Sequence, residues 1–158
     1  MAFSERCVHA RHMEMRAYES SDEAGLAALW FESWMSVGLQ RPIVTHAELA
    51  ARVPQELAGR WAVTVAEADG RLLGFLALAL SERRLDQLFI APDAQGSGVG
   101  RALFDVARQQ MPEGFWLSTQ PANRRACAFY EQAGMTVDAA APGQTAERVV
   151  YAWSGIEA

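Results

Sequence analysis

The sequence predicts a mixed α/β domain, with a largely antiparallel central sheet of six to seven strands and helices on both faces. Three observations carry that expectation. Short apolar segments alternate with turn residues along the chain, and two of them are joined by Asp69-Gly70, a dipeptide that supplies the positive φ angles of a tight hairpin. The second half reads strand, glycine cluster, helix, strand, helix, which demands a crossover within an otherwise antiparallel order. Finally, 158 residues with 51% hydrophobic content fill one packed domain and do not stretch to two.

Residues 1–12 read as a flexible tail, and 13–158 as a single domain. Charges interrupt the few apolar residues of the tail, so it lacks the continuous apolar run of a signal peptide; His9 and His12 stand three apart within it and could in principle grip a metal, although a disordered start is the plainer reading. Met13 to Tyr18 is the first strand. Ser20 and Glu23 stand at capping-box spacing, so a helix should begin near Asp22, with Leu26, Leu29, Trp30 and Val37 recurring at helical intervals. A second box, Thr45 with Glu48, opens a stretch carrying Leu49, Val53 and Leu57 on one face and kinked at Pro54. Trp61 to Ala68 and Leu72 to Leu80 form the hairpin, and Leu85 to Ile90 the next strand. A helix striped by Val99, Leu103 and Val106 follows the glycines and stops at Met111-Pro112. Phe115 to Thr119 is a strand, Asn123 to Ala133 a helix closed by Gly134, and Val149 to Trp153 a last strand after a loop at Pro142-Gly143.

Composition narrows the function classes. A net charge of -5, from 19 acidic and 14 basic residues, argues against a nucleic-acid partner, and every basic residue is arginine. The longest nearly apolar run, Leu72 to Leu80, is too short to span a bilayer, so no membrane is expected. Cys7 and Cys127 fit neither a CxxC nor a Cys/His pattern. No disulfide framework and no metal site is indicated, and the cytoplasm is the simplest setting.

The densest chemical signal is Gln95-Gly96-Ser97-Gly98-Val99-Gly100-Arg101, set between a strand and a helix. A helix beginning there presents backbone N–H groups without internal partners, and glycines let an anion approach them closely, so a phosphate is the natural guest. The nucleotide loop GxxxxGK[ST] is excluded because the chain has no lysine, and GxGxxG fails because Arg101 stands where its third glycine belongs. An empty turn is the plain alternative, although three glycines would then weaken the backbone for nothing. Asn123, Ala126 and Tyr130 share one face of the later helix. Asn123 also reads as a helix N-cap, and Tyr130, by periodicity, as a core aromatic.

The spacing Q-x-x-G-x-G, the preceding LDQLFIAPDAQ and the later NRRACAFYEQAGM together resemble the GNAT superfamily of acyl-CoA-dependent N-acyltransferases. The resemblance implies that backbone amides of Gln95, Gly96, Ser97, Gly98, Val99, Gly100 and Arg101 cradle the diphosphate of acetyl-CoA. It further implies that the pantetheine arm adds like a strand beside Leu88, Phe89 and Ile90, whose amides face the oxyanion, and runs along Asn123, Ala126 and Tyr130. Amine attack on the thioester expels a thiolate, and Tyr130 is the candidate general acid, since a phenol titrates near enough to a thiol to protonate it.

Asp86 is the candidate base and acceptor-side residue, because plain alternation puts it on the side of Leu88 and Ile90; it also reads as a surface residue paired with Arg84. Glu32 and water are weaker candidates. Cys127 has no neighbouring histidine to activate it, so an acyl-cysteine route is rejected. For the acceptor, expected to be a small-molecule amine or amino acid ahead of a protein N-terminus, Trp30, Phe31, Trp34, His46 and Trp153 are candidate lining residues, although each reads first as core or interface. The rival reading is a non-catalytic acyl-CoA sensor on the same fold, against which Asn123 and Tyr130 speak. With residues 85 to 135 given to the coenzyme, little chain is left to close an acceptor site, and a homodimer is the expected remedy.

Overall fold

A computed structural model describes residues 13–37, 47–48, 51–52 and 60–155, with 33–37 described as backbone only. The amino-terminal tail and nearly all of the second helical stretch, with His46, lie outside the described residues. Seven strands form one sheet in the order β1-β2-β3-β4-β5-β7-β6: β1 (Glu14–Ala17), β2 (Trp61–Ala68), β3 (Arg71–Ala79), β4 (Arg84–Ile90), β5 (Phe115–Thr119), β6 (Thr136–Val137) and β7 (Val149–Trp153). Every pairing is antiparallel except β4 with β5. The helices are α1 (Glu23–Val37), α2 (Val99–Gln110) and α3 (Arg124–Gln132).

Local chemistry accounts for these elements. Asp69 and Gly70 take φ of 52° and 74°, as the hairpin between β2 and β3 requires. The first helical turn is capped one residue earlier than the spacing of Ser20 and Glu23 predicts. A 3-10 turn over Ser20–Asp22 precedes α1, and the Glu19 N–H donates to the Asp22 carboxylate at 2.8 Å. Arg16 on β1 clasps the same carboxylate at 2.7 and 2.8 Å and reaches Glu67 on β2 at 2.7 Å, tying two strands to the start of the helix.

Helices cover both faces of the sheet. On one, Trp30 of α1 is fully buried against Trp61, Phe75 and Phe89, with ring centroids 5.7, 6.3 and 6.2 Å away. On the other, Phe104 of α2 is fully buried against Phe115, Phe129 and Tyr130 at 5.5, 6.1 and 6.5 Å. Gly74 lies at the centre of this second face, where a Cβ would stand 2.8 Å from the Phe89 carbonyl oxygen and 3.1 Å from Leu103.

Both edges of β4 are irregular. Its register against β3 slips between Leu85, opposite Leu78, and Gln87, opposite Ala77, so Asp86 is the extra residue of a bulge. On its other edge, β4 meets β5 at the single register pair Arg84 and Trp116, beyond which the strands diverge.

Candidate active site

The divergence of β4 from β5 opens a cavity of about 320 Å³, lined by Leu88, Phe89 and Ile90 of β4, by Gln95, Gly96, Gly98, Gly100 and Arg101, and by Asn123, Arg125, Ala126, Phe129 and Tyr130 on the α3 side. The ladder fixes where the β4 amides point. The Ala91 N–H donates to the Leu73 carbonyl at 2.8 Å, and the register runs unbroken through Phe89 opposite Phe75, so Phe89 turns its N–H and C=O toward β3. Alternation then turns those of Leu88 and Ile90 the other way, toward the cavity side. The Gln95 amide donates to the Ile90 carbonyl at 3.3 Å, which agrees with that orientation.

The glycine loop is built for close approach. Gly96 and Gly98 take φ of 79° and 94°, conformations that favour glycine, and a Cβ at either would meet nothing within 4 Å. Gly98 is the N-cap of α2 and offers no side-chain cap, and no acidic residue stands in the first turn. Open N–H groups at the positive end of a 12-residue helix thus face the cavity, an arrangement suited to a phosphate. Gly100 serves packing instead, since a Cβ there would lie 3.3 Å from the Phe129 ring. Ser97 bonds back to the Ala94 carbonyl and Val99 is buried, so neither side chain lines the cavity.

Asn123 combines both of its readings. Its side-chain oxygen accepts from the Ala126 N–H at 3.2 Å, which caps α3, and the residue also lines the cavity. Tyr130 is only 8% exposed, packed against Phe104, Phe129 and Tyr151, and its hydroxyl has no hydrogen-bond partner among the described residues. Burial, with a smaller contribution from Cys127 nearby, pushes its phenol well above the usual tyrosine range, so it stands protonated. Tyr151, also buried, is raised chiefly by desolvation and donates to Glu131 at 3.0 Å.

The residues expected on the acceptor side do not gather with this set. Cross-strand partners share a face, so Leu85, Leu88 and Ile90 lie with Leu78, Leu76 and Gly74 toward α2. Asp86 instead receives the Trp61 indole N–H at 2.6 Å, on the α1 face where Trp61 meets Trp30. Plain alternation fails here because the bulge inserts one residue and reverses the parity. Asp86 also lies 3.2 Å from Arg60 and 3.2 Å from Arg84, and it does not line the cavity.

Trp30 is core, with Arg52 over its ring at 5.2 Å, and Trp153 is buried against Phe115 beneath Arg108. Trp34 lies within α1, but its side chain is outside the described residues. Phe31 packs against the core, and Glu32 lines a separate polar cavity beside Arg71. Arg125 and Phe129 also line the first cavity, and sequence reasoning misses them. Their spacing of one helical turn, beside Asn123 and Ala126, is the signal that could find them. Among the described residues no three His, Cys, Asp or Glu side chains assemble a metal site, and no helix is long and apolar enough to cross a membrane.

Residues 14–135 match the family model described as the Acetyltransferase (GNAT) family. The chain is 31% identical over 132 residues to the peptidyl-lysine N-acetyltransferase YiaC of Escherichia coli, covering 78% of this chain and 83% of that one. It is 39% identical over 75 residues to the peptidyl-lysine N-acetyltransferase YjaB of the same organism, 48% of each chain. The solution structure of apo YjaB superposes with a TM-score of 0.69 at 26% identity, covering 91% of this chain and 99% of that one. The PaiA N-acetyltransferase of Thermoplasma acidophilum, solved in complex with coenzyme A, superposes with a TM-score of 0.72 at 17% identity over 90% of this chain and 98% of that one, a likeness of fold.

Proposed function

The chain belongs to the GNAT family of acetyltransferases, and from that premise we propose that it transfers an acetyl group from acetyl-CoA to a primary amine by direct attack in a ternary complex. The observation that supports this most is the convergence of three kinds of group on one cavity: the open start of α2, the inward-turned amides of β4, and the hydroxyl of a buried tyrosine that has no partner among the described residues. These fit the parts of acetyl-CoA in sequence. The loop from Gln95 to Arg101 holds the diphosphate, the edge of β4 and the Asn123 and Ala126 face hold the pantetheine, and Tyr130 stands at the thioester end.

Acetyl-CoA supplies an activated acyl group. The chain's residues do the rest. The N–H groups of Leu88 and Ile90 point toward the cavity side, where they favour negative charge on the acyl oxygen, and their fixed orientation costs no reorganisation during reaction. Tyr130 Oη, protonated across the neutral range, gives its proton to the departing sulfur. Asp86 has donors on both carboxylate oxygens, Arg84 on Oδ1 and Trp61 with Arg60 on Oδ2. Its part is therefore to fix the bulge on the α1 face, and the acceptor's proton passes to water.

The acceptor we favour is a small-molecule amine or amino acid. A lysine side chain is the second reading, supported by the peptidyl-lysine specificity in the names of YiaC and YjaB. A homodimer that completes the acceptor side belongs to the same proposal. One screen tests the function: acetyl-CoA with a panel of amines, amino acids and lysine-containing peptides, read as thiol release. Release with at least one amine, abolished by a bulky residue at Gly98, is the expected result, and binding without release from any amine would leave a non-catalytic acyl-CoA module.

A further inference from the structure

The two helices that border the cavity begin with an electrostatic anomaly. A helix N-terminus carries a partial positive charge that favours acidic residues in the first turn and disfavours cations. Neither α2 nor α3 has an acidic residue there, and α3 opens with two arginines, Arg124 and Arg125. Local helix stability does not account for that choice in a chain whose net charge is -5.

Of the pair, Arg125 lines the cavity and Arg124 does not. Arg101, the other cation in the lining, is 3.7 Å from Asp105, whereas Arg125 has no carboxylate partner among the described residues. No aspartate or glutamate lines the cavity at all. Packing brings the two arginines to a common mouth. Phe129, one turn beyond Arg125, lies where a Cβ on Gly100 would be 3.3 Å from its ring, and Gly100 adjoins Arg101. The wall opposite the glycine loop is thus charged for an anion that the loop does not itself engage.

We infer that Arg125 is a specificity-determining residue that binds the 3′-phosphate of the coenzyme's ribose and so distinguishes coenzyme A from its 3′-dephospho form. The inference rests on the acetyl-CoA reading above. With the diphosphate on the glycine loop, the charge remaining on the coenzyme is that phosphomonoester, on the adenosine side of the diphosphate and away from the thioester. A guanidinium in a mouth free of carboxylates suits it, because two parallel N–H donors match phosphate oxygens in charge and in geometry.

The test is calorimetric titration of the full chain with coenzyme A and with 3′-dephospho-coenzyme A. Wild-type protein is expected to bind coenzyme A about tenfold more tightly, the worth of one charge-assisted contact. Arg125→Ala should lose that tenfold for coenzyme A and keep its affinity for the dephospho form, Arg125→Lys should keep part of the preference, and Arg124→Ala should keep all of it. Equal wild-type affinity for the two ligands, or a preference that survives Arg125→Ala, would overturn the inference and leave the acetyl-CoA reading standing. Failure of wild-type protein to bind either ligand would overturn both.

Discussion

Replacing Tyr130 with phenylalanine removes one oxygen and leaves every ring contact in place, so it separates chemistry from folding. The ring packs on Phe104, Phe129 and Tyr151 at 6.5, 5.5 and 6.1 Å, and none of these contacts depends on the hydroxyl. That hydroxyl makes no hydrogen bond among the described residues and opens on the cavity, so removing it breaks no contact within the protein. The variant should therefore match the parent in stability to within about 1 kcal/mol, a change in Tm of at most about 4 °C. Turnover should fall. Loss of a general acid lowers it about 10²–10⁴-fold, or roughly 3–5 kcal/mol of barrier. Thiol release at saturating acetyl-CoA, with coenzyme affinity measured separately and changed by less than about threefold, reads the effect. Turnover within about threefold of the parent, or a Tm lowered by several degrees, would refute the assignment. Burial of Tyr130 contributes, with that of Tyr151, to the alkaline limb of stability. The unfolded chain releases this proton near pH 10.0 and the folded chain only above it, so stability falls as pH climbs past 10.0, and more shallowly in Tyr130→Phe.

Three further outcomes rest on geometry. Gly98→Val, at φ 94° with open space around its Cβ, should cost about 1–2 kcal/mol of stability from backbone strain while abolishing coenzyme binding in a titration; normal binding would place the diphosphate elsewhere. Gly74→Ala forces a methyl against the Phe89 carbonyl and Leu103, so it should cost about 1–3 kcal/mol in thermal unfolding, and it should weaken coenzyme binding because β4 must shift. Asp22→Asn should lower Tm at neutral pH. The Arg16 guanidinium holds the Asp22 carboxyl below its ordinary 3.8, so the difference from the parent should persist above that pH and fade as pH falls below it.

Sequence patterning reaches most of this architecture because the signals are local. Asp69-Gly70, the glycines from 96 to 100 and the Asn123 cap each act within a few residues, and the bounds of β2, β5 and β7 match those expected. β6 is a two-residue strand, too short to leave a periodic trace. Asp86 shows the other limit. Its alternation is sound as far as one strand goes, but a bulge is a property of two strands in register, and the partner residues, Ala77 and Leu78, carry no sign of it. Arg125 escapes notice because an arginine next to an arginine reads as surface until a cavity shows which of the two looks inward.

The seam between β4 and β5 has a mechanical consequence. With Arg84 and Trp116 as the single register pair, the sheet is a four-stranded ribbon and a three-stranded one, joined at one end of the seam, where the Trp116 N–H donates to the Arg83 carbonyl at 3.0 Å, and through α2, where Phe104 packs on Phe115. Each ribbon can open and reclose on its own schedule, so slow amide exchange should divide into two blocks at that boundary. A coenzyme lying along β4 would bridge the blocks and merge their exchange behaviour. Loading with the acyl donor would then stiffen the whole domain, acceptor side included, before any amine arrives.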